Sequence, residues 1–120
     1  MGKLLVHVTH GPESPTRAAL GLLVARAGVD EGHDVSVFLA GDAVQLIRGS
    51  VLDTLTGLGT GSLRESFDAV AAAGGQFYLS GMSSKARGVD DADLDGKPAQ
   101  FAMPNRLVQL AFEADRVLTY

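Results

Sequence analysis

A strand, a helix and a second strand follow one another in residues 3–39, KLLVHVTHGPESPTRAALGLLVARAGVDEGHDVSVFL. The apolar runs 4–8 and 35–39 are short, as in strands buried on both faces of a parallel sheet. Between them, Ser14 is placed as an N-cap, and Pro15 suits the first position of a helix. Two parallel strands joined through a helix predict an α/β fold with right-handed crossovers.

The same alternation continues through residue 120. It predicts a short helix from residue 41 to about residue 47, a helix after a Ser62–Glu65 capping box, a strand at 76–80, and a turn and short helix at 81–88. It also predicts a helix at 104–114, a strand at 116–120 and a weaker strand at 100–102. Residues 48–61 are expected to form a mobile loop, and the acidic stretch 90–95 a solvated loop. These elements predict a flavodoxin-like three-layer α/β/α domain with a four- to five-stranded, mainly parallel sheet, formed by residues 1–120 as a single domain.

Composition excludes several classes of function. The formal charge is −4 and no cluster of Lys or Arg is present, so neither nucleic acid nor an anionic membrane is an expected partner. No apolar run is long enough to span a bilayer, and the N-terminus has no cleavable signal pattern, so we expect a cytoplasmic location. There is no cysteine, and no His, Asp and Glu set has metal spacing, so we expect no metal and no cofactor.

Three segments are candidates for a binding site because ligands of open parallel sheets bind at the carboxyl ends of the strands. These segments are residues 10–14, 40–42 and 80–87. In the last, Gly81 would allow close approach of a ligand, while hydroxyls and two cations would attract an anion or a polar small molecule. The predicted ligand-binding residues are His10, Asp42, Ser80, Gly81, Met82, Ser83, Ser84, Lys85 and Arg87. Alternatively, these residues simply cap and solubilise a helix.

A catalytic interpretation has one candidate constellation. His10 could approach Ser80, with Glu13 or Asp42 orienting the imidazole. The residues around Ser80 lack both glycines of the Gly-x-Ser-x-Gly elbow. The glycine-rich run 57–61 does not follow a strand and lacks the Gly-Lys-Ser/Thr ending of a phosphate loop, so it is interpreted as part of the flexible loop.

Four segments together resemble the DsrE/DsrF-like family of the YchN-like fold. They are GPESP at 11–15, GHDVSVFLAGD at 32–42, FYLSGMSSKARG at 77–88 and EADRVL at 113–118. In sulfur-carrying members, a cysteine before the Gly and the Ser-x-Lys-x-Arg-Gly-like turn accepts sulfur as a persulfide. Ser80 occupies that position here, and a hydroxyl cannot form a persulfide.

The resemblance implies the fold, a homotrimer or homohexamer, and a pocket around Ser80. The long apolar circumference of the first helix also favours an oligomer, because a monomer would leave part of it exposed. Three functional hypotheses follow. The chain is a non-catalytic oligomer that binds a small ligand or a protein partner, an enzyme that uses Ser80 or His10, or a structural subunit of a mixed sulfur-relay complex with a cysteine-bearing partner.

Overall fold

The central sheet contains five strands in the computed structural model, which describes residues 1–120. They are β1 (Lys3–Val8), β2 (Asp34–Leu39), β5 (Gln76–Ser80), β6 (Ala99–Ala102) and β7 (Arg116–Thr119). Two further strands, β3 (Thr56–Gly57) and β4 (Gly61–Ser62), form a separate antiparallel hairpin. The order in the sheet is β6-β5-β2-β1-β7, and every pairing in it is parallel. The predicted α/β class and parallel sheet are confirmed.

Six α-helices and one 3-10 helix connect the strands. They are α1 (Pro15–Asp30), the 3-10 helix (Gly41–Ile47), α2 (Gly49–Thr54), α3 (Leu63–Ala72), α4 (Gly81–Arg87), α5 (Asp91–Leu94) and α6 (Pro104–Glu113). None of them combines the length and apolarity needed to cross a bilayer.

The two faces of the sheet carry very different amounts of apolar packing. One face contributes alternate strand residues such as Val6, Val37 and Phe77 to a core of 21 buried residues, which α1, α2, α3 and the 3-10 helix complete. The other face contributes Leu5, Phe38 and Tyr78 to a core of four buried residues, which Leu110 of α6 completes. The side chains on this second face therefore depend on one ten-residue helix for cover.

Strand order explains this asymmetry. The chain moves in one direction from β1 to β2, β5 and β6, and right-handed crossovers made in one direction place their helices on one face. After β6 the chain returns across the whole sheet to β7 through α6, which therefore lies on the opposite face. Because only this last connection covers the second face, the sheet extends beyond its helical cover there.

Residues 48–61 do not form the predicted loop. They form α2 and the β3–β4 hairpin, with Leu52 and Leu55 buried in the main core. Contacts distant in sequence hold the hairpin in place: a Cβ added to Gly57 would lie 3.0 Å from Thr16 Cα and 3.1 Å from Ala19 Cβ. The hairpin therefore owes its position to a close approach to α1.

The acidic segment 90–95 was also interpreted wrongly as a loop. It contains α5, which begins with a reciprocal capping box: the Asp90 carboxylate accepts from the Ala92 backbone N–H at 3.1 Å, and that of Asp93 accepts from the Asp90 N–H at 3.0 Å. Side-chain caps can hold such a short helix although none of its residues is buried. Two predicted caps elsewhere are incomplete, since Ser14 makes no side-chain cap and Ser62 accepts from the Glu65 N–H without a reciprocal bond.

Most of the apolar circumference of α1 is covered within one chain, so only a small part of it is exposed. The helix packs on the sheet, on α3 and on the hairpin, and Leu20, at 36%, is its most exposed large apolar side chain. Exposed apolar side chains lie instead on α6 and β7, where Phe112, Val108, Val117 and Leu118 are 87%, 54%, 43% and 42% exposed.

His7 of β1 lies on the same face of the sheet as Leu5 and Phe38. Its ring meets the Phe38 ring edge-on at 6.0 Å, and its buried Nε2 has no hydrogen-bond partner. Burial lowers the pKa of His7 because the charged imidazolium loses its hydration.

This lowered pKa predicts acid sensitivity. Below about pH 6.5, the ordinary pKa of histidine, the unfolded chain binds the proton more readily than the folded chain, so the free energy of unfolding falls as the pH falls. A His7→Phe variant keeps the ring and removes the titration, so its stability should fall less than that of the wild type between pH 7.5 and 5.5. Urea unfolding at both pH values measures this, and equal losses in the two proteins would contradict the prediction.

Candidate functional site

Ser80 lies where β5 ends and α4 begins. Its Oγ accepts a hydrogen bond from the Ser83 backbone N–H at 3.1 Å, so the hydroxyl is the N-cap of α4. The helix ends at Gly88 in the left-handed conformation, with φ of 70°, which glycine adopts without a steric cost. The Ser80 hydroxyl is therefore part of the local structure of the turn.

Polar contacts tie α4 to the end of β2. The Ser83 Oγ accepts from the Gly41 backbone N–H at 2.9 Å. The Arg87 guanidinium donates from Nε to Asp42 Oδ1 at 2.9 Å and from Nη1 to the Ser83 carbonyl at 3.2 Å. Two of the three predicted segments, 40–42 and 80–87, are thus joined at the carboxyl edge of the sheet, as expected.

Gly11 brings the third segment against the same edge. A Cβ built on this residue would lie 2.1 Å from the Asp42 carbonyl oxygen and 2.7 Å from its carbonyl carbon. The Gly11 N–H donates to Glu13 Oε1 at 2.7 Å, and the Gly11 carbonyl accepts from the Ser14 N–H at 3.0 Å. The loop after β1 therefore packs directly on the backbone of Asp42, with space only for a hydrogen on the α-carbon.

His10 is not paired with Ser80. Its Nδ1 lies 3.2 Å from Glu13 Oε2, and its Nε2 lies 3.4 Å from Arg17 Nη1. Glu13 therefore meets His10 as the catalytic hypothesis required, but Asp42 is bonded to Arg87, and Ser80 is bonded to the Ser83 N–H. The structure does not bring together the nucleophile and the base of the candidate triad.

The remaining predicted residues divide into an exposed group and a buried one. Met82 is 63% exposed, and Lys85 is exposed beside it. Ser84 faces inward: it is 1% exposed, and its Oγ has no hydrogen-bond partner. Met103, which was not predicted, is 51% exposed, and its Sδ lies 3.5 Å from the Cβ position of Gly81. Two exposed methionines therefore flank the Ser80 turn, a proximity that sequence could not reveal because 21 residues separate them.

No cavity is formed by the predicted binding residues. The three cavities of the structure are lined elsewhere, and all of them include Lys3 at the start of β1. No three His, Asp or Glu side chains lie close enough together to hold a metal ion. Small-molecule sites are concave, and the predicted binding residues line none of the three cavities.

Similarity to known proteins identifies the family of this chain. A model of the DsrE/DsrF-like family matches residues 2–120. The chain belongs to this family. Its resemblance to the family, inferred above from four segments of sequence, is thereby confirmed. A DsrE/DsrF-like protein without cysteine cannot carry a cysteine persulfide, whatever its other activities are.

Two solved structures share the fold. The crystal structure of the YchN protein from E. coli aligns with this chain over the full length of both chains, with 22% sequence identity and a TM-score of 0.81. The conserved protein of unknown function BT1422 from Bacteroides thetaiotaomicron has 10% identity and a TM-score of 0.68, over 99% of this chain and 95% of that one. A search of curated protein sequences gives no match. The YchN-like fold is therefore established, and the functional assignment rests on the site itself.

Proposed function

We propose that this DsrE/DsrF-like protein is a non-catalytic oligomer that binds a protein partner at the carboxyl edge of its sheet. The observation that carries the proposal is the Ser80 turn, which is intact, internally hydrogen-bonded and flanked by exposed Met82 and Met103. We define the surface of Met82, Met103 and Lys85 as the Ser80 edge.

The chemistry of the Ser80 edge favours a protein over a small ligand. Methionine side chains are flexible and polarisable, and they are frequent on surfaces that adapt to protein partners. The arginine of the turn is already bonded to Asp42 and to the Ser83 carbonyl, which leaves Lys85 as the free cation. A partner with an apolar contact and an acidic rim would match this surface.

A non-catalytic role is favoured by the state of the two catalytic candidates. Activation of a serine hydroxyl requires a base within hydrogen-bond reach, and neither ring nitrogen of His10 is bonded to Ser80. A protein that keeps the family's turn and lacks the family's thiol is suited to a binding role. The partner expected on this basis is a cysteine-bearing DsrE/DsrF-like protein of the same organism, as in a mixed sulfur-relay complex.

Oligomer formation is supported by the face of the sheet that has only one helix. Val108 and Phe112 are four residues apart on α6, so they form a continuous apolar stripe that points away from the sheet. Phe112 is 87% exposed, whereas large aromatic side chains are normally covered in a folded chain. We propose that this α6 stripe contacts another copy in a trimer or hexamer.

Affinity for the cysteine-bearing partner tests the proposed function. Met82→Glu introduces a negative charge into the Ser80 edge. The dissociation constant of the complex between this variant and the partner should be roughly tenfold or more above that of the wild-type complex, as for an interface hot spot. Ala27→Glu is the matched control because Ala27 is exposed in the last turn of α1, near the opposite edge of the sheet. Isothermal titration with purified proteins measures both. Equal binding by the two variants, or no binding by the wild type, would contradict the proposal.

A further inference from the structure

A groove with polar walls lies beside α6, away from the Ser80 edge. It has a volume of about 210 Å³ and is bounded by the side of α6 that carries Arg106, Leu110 and Glu113. Its other wall is formed by the sheet near the amino ends of its strands, through Lys3, Leu5, Asp34, Ser36, Gln76 and Tyr78. This volume is below the roughly 300 Å³ of pockets that hold drug-sized molecules, so the groove suits a small ligand.

The register of the sheet places polar side chains together in this groove. Ser36 is paired with Gln76 across β2 and β5, and Lys3 is paired with Asp34 across β1 and β2. Residues 34, 36 and 76 all lie on the face that α6 only partly covers. The Ser36 hydroxyl and the Gln76 amide make no hydrogen bond within the chain, so both are free to bind a ligand.

Arg106 is held above the floor of the groove. Its Cζ lies 5.5 Å from the centroid of the Tyr78 ring, a distance at which the ring attracts the guanidinium. Only Nη1 is engaged elsewhere, at 3.3 Å from Gln109 Oε1 and 3.9 Å from Glu113 Oε2. Because a guanidinium has five N–H donors, Arg106 keeps donors for a ligand carboxylate.

The charges of the groove indicate which ligand it would bind. Lys3 and Arg106 are cations, while Asp34 and Glu113 are anions, so the four charges sum to zero. A polyanion or a simple cation would therefore meet as much repulsion as attraction. A small molecule with one carboxylate and one ammonium group can satisfy both signs, and Leu5, Tyr78 and Leu110 offer apolar surface for its side chain.

We infer that this groove binds a free α-amino acid. Arg106 binds the carboxylate, Asp34 or Glu113 binds the ammonium group, and Ser36 and Gln76 supply hydrogen bonds between them. Nothing in this inference depends on the proposed role of the Ser80 edge, because the two sites share no residue.

Titration with individual L-amino acids tests the inference. We would follow the backbone and side-chain amide signals of the full chain by NMR while each of the proteinogenic amino acids is added alone. At least one should shift the signals of Ser36 and Gln76 in a saturable way. Its amide and its N-acetyl derivative, which each lack one charge, should both bind more weakly by about tenfold or more.

Two variants separate binding in the groove from general effects on the fold. Arg106→Met should weaken binding of that amino acid roughly ten- to hundredfold, because a hydrogen bond to a charged group is lost. Arg26→Met is the matched control, since Arg26 lies on α1 and does not line the groove. Gln76→Ala changes an exposed residue, so it should fold normally and also bind more weakly.

Three results would overturn the inference. The first is that no amino acid in the panel shifts the groove signals. The second is that acetate or methylamine binds as tightly as the amino acid, since either would show that one charge suffices. The third is that the wild type forms an oligomer in which a second copy protects the groove amides, because the occupant would then be protein.

Discussion

A Gly11→Ala variant is expected to be less stable than the wild type by about 3 kcal/mol, at the upper end of the usual cost of overpacking. The added Cβ would lie 2.1 Å from the Asp42 carbonyl oxygen. The position of a Cβ is fixed by its own backbone and the carbonyl belongs to the main chain, so no side-chain rotation can relieve the overlap. The backbone of the loop after β1 must move away from the end of β2, and the bond between Asp42 and Arg87 should weaken with it.

Thermal denaturation with a matched glycine control measures this effect. Gly49→Ala is suitable because its Cβ would have only Arg64 Nη2 near it, at 4.0 Å, and because Gly49 is the first residue of α2. That variant should be unchanged or slightly more stable, by up to about 1 kcal/mol. For a chain of this size, the Gly11→Ala midpoint should fall by roughly 10 °C or more. Equal midpoints in the two variants would mean that the loop does not pack on Asp42.

A Phe112→Asp variant is expected to be a monomer under conditions in which the wild type is a trimer or hexamer. In the proposed oligomer this aromatic side chain is covered by a second copy, and the aspartate would place an unpaired charge there. Uncompensated buried charges cost about 3–5 kcal/mol, which weakens each contact by roughly two to four orders of magnitude. The fold itself should be unaffected, because Phe112 is 87% exposed within one chain.

Native mass spectrometry and light scattering at matched concentrations measure the subunit number. Asn105→Asp is the control, since it adds the same charge at an exposed position in the first turn of α6. It should keep the wild-type assembly. An unchanged assembly in Phe112→Asp would exclude the α6 stripe from the interface. A wild type that stays monomeric at all concentrations would refute the oligomer proposal altogether.

The sheet could be predicted from sequence because its signals are local. The runs 4–8 and 35–39 have the length and composition of buried strands, and Pro15 and the Gly74-Gly75 pair mark helix ends. The prediction of a loop at residues 48–61 was wrong because α2 has only six residues, which are too few turns to show a helical period in the sequence. The capping box of Asp90 and Asp93 was a usable local signal for α5, but the density of acidic residues suggested a solvated loop instead.

The candidate site was only partly predictable, because strand order decides what meets at an edge. The proximity of segments 40–42 and 80–87 could be predicted, because both follow strands of a parallel sheet and the carboxyl ends of such strands lie at one edge. Of the two partners of His10, Glu13 was one of the acids predicted to orient the imidazole, whereas Arg17 was not predicted. The positions of Met103 and Arg106 depend on α6, which crosses the sheet from β6 to β7. No local pattern in the sequence indicates that crossing. The alternation of Asp34, Val35, Ser36 and Val37 was the available sign that one face of β2 is only partly covered.

The position of β7 beside β1 has a consequence for how the chain folds. A hydrogen bond at the start of this pairing, from the Lys3 backbone N–H to the Asp115 side-chain Oδ2, joins residues 112 positions apart. Contacts across so long a loop carry a large closure entropy and form slowly, whereas β1 and β2 are joined by a single helix. We therefore expect β7 to dock last. Until it does, β1 presents an open edge to other chains, so aggregation competes with the final step of folding.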